Sequence, residues 1–387
     1  MSKLSGEILT RLQNMFPKGA ALHEPLFEGN EWQYVKECIN TSWVSSRGVF
    51  VDRLEQGLIS FTGAKYAVAV INGTSALHLA LMIAGVERDD EVLVPSLTFA
   101  ASANAVSYCG AVPHFTEICR KTLGVDPHKL DSYLSEIAEI GRNGFARNKT
   151  TGRQIKACIP MHTFGHPVDM ESLNRVCQKW NIVIVEDAAE SLGSFYKNRH
   201  TGLFGQLGVF SFNGNKIITA GGGGAVVTDS EQLAARARHL STTAKVSHDW
   251  EFIHDEIGYN YRLPGINAAL ACAQLEQLPF YIAQKRKLAL TYQDVFQDLE
   301  GVSVFFEPDG CASNYWLNVM LLDPEKAKYR QEILISTNAN KIMTRPAWKL
   351  LPDLKIYEMC PKMTLDVSQE LYNRIICLPS SVKLQKS

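Results

Sequence analysis

The chain lacks the features that would place it in several large classes. Its nine cysteines (38, 109, 119, 158, 177, 272, 311, 360 and 377) are odd in number and scattered, with no CxxC pair. That pattern suits reduced thiols rather than a disulfide framework. No stretch approaches the roughly 20 consecutive apolar residues of a membrane span. Neither sign of charge is in surplus: 39 Lys and Arg against 40 Asp and Glu leave a formal net charge of −1. No global field therefore draws the molecule to nucleic acid or to a membrane surface, although a small anion could still be held locally. The opening "MSKLSGEILTRLQNMFPKG" alternates charged and apolar residues and has no continuous apolar core of a secretory signal. The expectation is a soluble, cytoplasmic protein. Internal repeats and low-complexity segments are also missing.

What is present is enough apolar material for a substantial core: 387 residues, 46% hydrophobic and 20% charged. Single cores rarely grow beyond roughly 250 to 300 residues, so two domains are expected. From about residue 60 to 240, short apolar runs alternate with helical patterns. "KYAVAVI" (65 to 71) reads as a buried strand, and "GTSALHLALMIAGV" (73 to 86) as a helix opened by Thr74 or Ser75 and closed at Gly85. "DEVLVP", "AVPHF", "KACIPM", "NIVIVED", "GVFSF" and "GGAVVTD" supply further strands, which argues a largely parallel α/β sheet. Residues 139 to 155 are polar and weakly periodic, hence a surface excursion. After residue 240 a long helical period (265 to 299) precedes "SVFFEP", "SNYWLNVMLL" and "RIICLP", a small C-terminal α+β domain. The boundary falls near 245 to 265, giving domains 1–250 and 251–387.

Three motifs carry chemistry. In "NGTSALHLAL" a strand runs into Gly73, Thr74 and Ser75 at a helix start, where free N–H groups and the helix dipole suit a phosphate. Simple capping by the hydroxyls is the plainer reading. In "VIVEDAAESLG" Asp187 ends an apolar strand, where open α/β sheets place ligand-contacting residues. It could also cap a following helix, and Glu190 could face the same crevice. In "SFNGNKIITAGGGGAVVTD" Lys216 precedes four glycines, Gly221 to Gly224, which imply unusual backbone dihedrals or a close approach of another group. The order is wrong for a nucleotide P-loop, because the glycines follow the lysine. A phosphate cradle, a strand-end acid and a lysine together match pyridoxal 5′-phosphate (PLP), which carries a phosphate, a pyridine nitrogen and an aldehyde that joins a lysine.

The succession "NGTSALHLAL", "PSLTFAASANAV", "PMHTFGHPVDM", "VEDAAESLGS", "SFNGNKIITAGGGGAVVTD" and "GYNYRLPGINAALACAQLE" resembles the DegT-type nucleotide-sugar aminotransferases over nearly the whole chain. The resemblance implies an aspartate-aminotransferase-like large domain (PLP fold type I) and PLP as cofactor, with pyridoxamine phosphate (PMP) as its aminated form. It implies Lys216 as the Schiff-base lysine, Asp187 as the acid on the pyridine nitrogen and Phe99 as the ring stacked on the cofactor. Gly73, Thr74, the N–H of Ser75, and Ser211 would hold the phosphate, joined by Asn260 from the neighbouring subunit of a homodimer. Glu190 stands where many relatives carry Gln or His. Trp43, Ser45 and Ser46 resemble a loop bordering the sugar site. His162 is expected near the cofactor end of its strand. Arg262 has two readings, donor carboxylate or diphosphate against subunit interface. No metal is expected: His162 and His166 in "HTFGH" are four apart, but Gly165 and Pro167 oppose the helix that would align them.

The phrases "SFNGNK", "MHTFGHPVDM", "DAAESLGS" and "YNYRLP" are most similar to the branch that aminates UDP-4-keto-6-deoxy-N-acetylglucosamine, on routes to bacillosamine and legionaminic-acid-type sugars. L-glutamate is the implied amino donor. Two rivals are a sugar dehydratase of the same fold, which carries histidine in place of the lysine, and a non-catalytic regulatory relative. Lys216 speaks against the first, and the set Lys216, Asp187 and Phe99 against the second.

Overall fold

The computed structural model describes residues 1–142 and 144–385. Seven strands form the central sheet: β1 (Tyr66–Val70), β2 (Glu91–Pro95), β3 (Val112–Thr116), β4 (Ile155–Cys158), β5 (Val183–Asp187), β6 (Leu207–Ser211) and β7 (Gly224–Thr228). Their spatial order is β1-β7-β6-β5-β4-β2-β3. From β6 to β3 every pair is parallel, whereas β7 runs antiparallel to both β6 and β1. The expected α/β class with a mainly parallel sheet is thus the observed one.

Period-two patterning explains why both faces are covered. Val68 and Val70 of β1 join one buried cluster with Leu77, Val94, Val185, Val209 and Val226. Ala67 and Ala69 point the other way and join Phe210, Ala225 and Val227, packed on Leu54 and Leu278. The antiparallel β7 has a local consequence. Because it returns beside β6 without a crossover helix, the link from Ser211 to Gly224 stays at the carboxyl edge of the sheet. Lys216 lies in that link.

Two readings of local structure change. The helix Gly73–Ile83 is capped not by Thr74 or Ser75 but by Asn72, whose Oδ1 accepts from the Ser75 N–H at 2.8 Å. No helix follows Asp187, since residues 188 to 194 are turn and loop, so the capping alternative for this acid falls away. The excursion at 139 to 155 contains a small hairpin pairing Ala138–Ile140 with Ala146–Asn148. Residue 143 lies outside the described residues.

The long helical period becomes the 32-residue helix Gly265–Phe296, with Pro279 inside it. Beyond it, β8 (Val302–Val304), β9 (Asn318–Leu322), β10 (Arg345–Pro346) and β11 (Ile375–Leu378) form an antiparallel sheet in the order β8-β9-β11-β10. Ile8 and Leu12 of the helix Lys3–Met15, and Phe16 just after it, share a core cluster with Leu288, Met320 and Ile376. We retain the division at 250/251 as a proposal, with this first helix docked on the C-terminal side. Among the described residues no helix is long and apolar enough to cross a membrane.

Candidate active site

Carboxyl ends of parallel strands converge on one edge of the sheet, and a cavity of about 380 Å³ opens there. Asn72, Gly73 and Thr74 reach it from the end of β1, Phe99 from the end of β2, Asp187 and Glu190 from β5, and Ser211 and Lys216 from β6. Trp316 and Trp348, from the C-terminal part of the chain, close the opposite side.

Asp187 is 3% exposed. Its Oδ2 accepts from the Ser102 hydroxyl at 2.7 Å and its Oδ1 from the Ala189 N–H at 3.2 Å. Burial raises this carboxyl above the ordinary aspartate range, with the two hydrogen bonds and the charges of Lys216 and His162 offsetting only part of the effect. Charges on Lys216 are answered more directly by Glu190, whose Oε1 accepts from the ammonium at 3.1 Å. The same ammonium sits 4.2 Å from the ring centroid of Trp316, and the Trp316 indole N–H donates to the carbonyl of Asn215 at 2.7 Å. Burial pushes the Glu190 carboxyl up to about 7 even with Lys216 beside it. Its Oε2 accepts from the Phe164 N–H at 3.0 Å.

The glycine tract has two distinct duties. Gly221 and Gly223 adopt φ of +74° and +131°, conformations that side chains rarely take. Gly224 is needed for proximity: a Cβ there would meet the Phe210 carbonyl at 2.7 Å and the Asn72 C and Gly73 N atoms at 2.8 Å. A Cβ on Gly73 would in turn meet the Ser211 Cβ at 2.8 Å. The tract therefore seats the start of helix Gly73–Ile83 against β6 and β7, bringing Gly73 and Thr74 of its first turn to the cavity beside Ser211. The glycines shape that seat; Lys216 itself is held by Glu190 and Trp316.

These residues fit PLP chemically. A buried acid without a cationic hydrogen-bond partner is what a pyridinium N–H would satisfy. The helix start supplies donors for a phosphate, Lys216 an amine for an aldehyde, and Phe99, 51% exposed on the cavity wall, a face for an aromatic ring.

Other expected residues stand apart from this cavity. His162 is fully buried, with Nε2 3.0 Å from Glu186 Oε2 and Nδ1 accepting from the Val168 N–H at 3.1 Å, so both ring nitrogens are engaged below the wall. Ser75 contributes its N–H to the Asn72 cap. Trp43, 58% exposed, and Ser45 and Ser46 lie on a loop tied to the long helix, where the Gly265 N–H donates to the Ser45 carbonyl at 2.6 Å. Asn260 is exposed and bridges Thr242 through the backbone; Arg262 bridges Val70 at the end of β1. Ser102, Asn215, Trp316 and Trp348 were not anticipated.

Comparison with known proteins identifies the family. Residues 26–387 match the DegT/DnrJ/EryC1/StrS aminotransferase family. GDP-perosamine synthase of Vibrio cholerae is 35% identical over 360 residues, 93% of each chain. EpsN of Bacillus subtilis, described as an inferred pyridoxal phosphate-dependent aminotransferase, is 35% identical over 93% of this chain and 90% of its own. Helicobacter pylori PseC, an aminotransferase involved in the biosynthesis of pseudoaminic acid, superposes with a TM-score of 0.84 over 94% of both chains at 26% identity. With likeness of that extent running along almost all of its length, the chain belongs to the DegT/DnrJ/EryC1/StrS aminotransferase family and is a PLP-dependent sugar aminotransferase.

Proposed function

We propose that the protein transfers an amino group from L-glutamate to C4 of UDP-4-keto-6-deoxy-N-acetylglucosamine, in cytoplasmic synthesis of a bacterial surface-glycan sugar. The observation that carries the chemistry is the placement of Lys216 and Asp187 on one cavity that also receives the start of helix Gly73–Ile83. The motifs "SFNGNK" and "YNYRLP" support the choice of sugar.

In this reading PLP, when bound, supplies an electron-poor ring that spreads the charge left on a carbon losing its proton. Asp187 holds the ring nitrogen through a charged hydrogen bond, and Ser102 orients that carboxylate. Thr74, the N–H of Gly73 and Ser211 hold the phosphate, the Ser75 N–H being taken by the Asn72 cap, while Phe99 covers one face of the ring. Lys216 Nζ takes the proton from the α-carbon of the donor and, in the second half of the cycle, returns a proton to C4 of the sugar. Between those events Glu190 and the Trp316 face offer the free ammonium a resting place.

A homodimer completes the site in this reading. The hairpin of Lys245–Val246 and Ile253–His254 and its surroundings expose Trp250, Phe252 and Ile257 at 77%, 80% and 84%, an apolar surface that a second copy would cover. Asn260 follows this segment and would reach the phosphate of the partner's cofactor, with Trp43, Ser45, Ser46 and Arg262 near the shared entrance.

A second reading, a GDP-linked 4-keto sugar, is favoured by the 35% identity to a GDP-perosamine synthase. Incubating the holoenzyme and glutamate with UDP-, GDP- and dTDP-linked 4-keto-6-deoxy sugars, with products resolved by mass and NMR, decides between them. The UDP-linked N-acetyl sugar is expected to be aminated fastest; a preference for the GDP-linked sugar overturns the first reading.

A further inference from the structure

Behind the tryptophan wall lies a second cavity of about 350 Å³, which shares Asn215, Trp316 and Trp348 with the first. Its lining is mainly apolar. Phe164 stacks on Trp348 with centroids 5.0 Å apart, and Trp348 and Trp316 are nearly parallel at 11° with centroids 6.4 Å apart. Within this apolar lining sits His23, whose two ring nitrogens are shut off from solvent and have no hydrogen-bond partner among the described residues. A buried polar group left unpaired is costly, so such a nitrogen on a cavity wall points to a ligand group that pairs with it.

The charge state of His23 narrows what that group is. Burial, with the positive charges of Lys285 and Lys216, drives its pKa well below the ordinary histidine range, so the imidazole is neutral. A neutral imidazole presents one N–H donor and one bare nitrogen acceptor. An acetamido group can pair with whichever of the two nitrogens faces it, its carbonyl accepting from the N–H or its own N–H donating to the bare nitrogen. A carboxylate or phosphate offers acceptors only and would leave the bare nitrogen facing negative charge. The one cationic side chain on this wall, Arg345, already donates through Nη1 to Asn338 Oδ1 at 3.0 Å and the Thr344 carbonyl at 3.2 Å.

We propose that this second cavity is the subsite for the acetamido group at C2 of the sugar, with His23 as its hydrogen-bonding residue and the Phe164, Trp348 and Trp316 rings packing its methyl. The inference rests on the function proposed above and names which sugars it covers. C2 is two ring carbons from the C4 that faces Lys216, and Asn215, the residue before Lys216, lines both cavities. A substituent at C2 would pass from one cavity to the other beside Asn215, where the two tryptophans also line both. A C2 hydroxyl would not reach the imidazole and would leave it unpaired.

The test is calorimetric titration of the holoenzyme with UDP-N-acetylglucosamine and UDP-glucose, which differ at C2 and require no turnover. The native protein is expected to bind the acetamido ligand at least tenfold more tightly, and His23→Leu to bring the ratio close to one, with His23→Asn, which keeps a donor and an acceptor, restoring part of it. Equal affinity of the native protein for the two ligands, or an unchanged ratio in His23→Leu, overturns the subsite. So does a His23→Leu defect confined to the glutamate half-reaction, which would assign the cavity to the donor. Because the ratio is read without catalysis, a failure to aminate any UDP-linked keto sugar would refute the proposed function separately.

Discussion

Glu190 Oε1 receives a hydrogen bond from the Lys216 ammonium at 3.1 Å, in a site where both groups are largely withdrawn from water. The pair gives the lysine a defined position whenever its amine is not engaged elsewhere. It also makes Glu190 the group whose ionisation most directly follows what Lys216 is doing.

Burial holds the Glu190 carboxyl at about 7 against an ordinary 4.5. The folded cofactor-free protein therefore binds more protons than the unfolded chain between those values, and its stability falls as pH rises through that window. The expected decline is about 1 to 3 kcal/mol. Glu190→Gln should flatten it, as measured by denaturant unfolding at the two ends of the window. An identical slope in both proteins would remove Glu190 as the cause.

Lys216→Ala should abolish the visible absorbance of the bound cofactor and lower turnover by about 10³-fold or more. The Lys216→Arg variant keeps the charge and the Trp316 contact but cannot substitute for the amine. Transamination retained in either variant would refute the role assigned to position 216.

Asp187→Asn preserves shape and the Ser102 contact while removing charge. Single-turnover reaction with glutamate is expected to slow by roughly 10² to 10³, with the cofactor still bound. A rate within a few fold of the native protein would show that the ring nitrogen does not depend on this acid.

Gly224→Ala places a Cβ 2.7 Å from the Phe210 carbonyl and 2.8 Å from the Gly73 N. The start of helix Gly73–Ile83 has to move, at a cost of about 1 to 3 kcal/mol, and cofactor should dissociate faster on dialysis. Gly214 is the control, since a Cβ there meets nothing within 4 Å; Gly214→Ala should change stability by less than about 0.5 kcal/mol. Equal cofactor loss from both variants would argue against the close-approach role.

The strands were legible because each is a short apolar run ended by polar or glycine residues, and β1 to β7 fall within a few residues of the runs that announce them. Asn72 was hidden behind Thr74 and Ser75, since all three are good caps and only the geometry of the chain entering the helix separates them. His162 and His166 look alike in sequence, yet the first is bonded to Glu186 and the second lies between Phe305 and Tyr315. Trp316 left no periodic trace: it follows Tyr315, a bulky residue at φ +48°, and reaches Lys216 from a hundred positions away. The glycine tract announces unusual dihedrals or a close approach, and both occur, but its sequence does not say that the approaching group is the start of helix Gly73–Ile83. Long-range contacts of this kind depend on how the C-terminal sheet docks, which no local pattern encodes.

The helix Gly265–Phe296 contributes Ala268, Leu275 and Leu278 to the cluster under the large sheet, and Leu288, Tyr292 and Phe296 to the cluster under the small one. It acts as a shared beam. Neither half of the molecule can come apart without exposing the other's apolar face, so heat should melt both in one step. Pro279, which withholds an amide from the ladder near the middle of the beam, marks where it would buckle first.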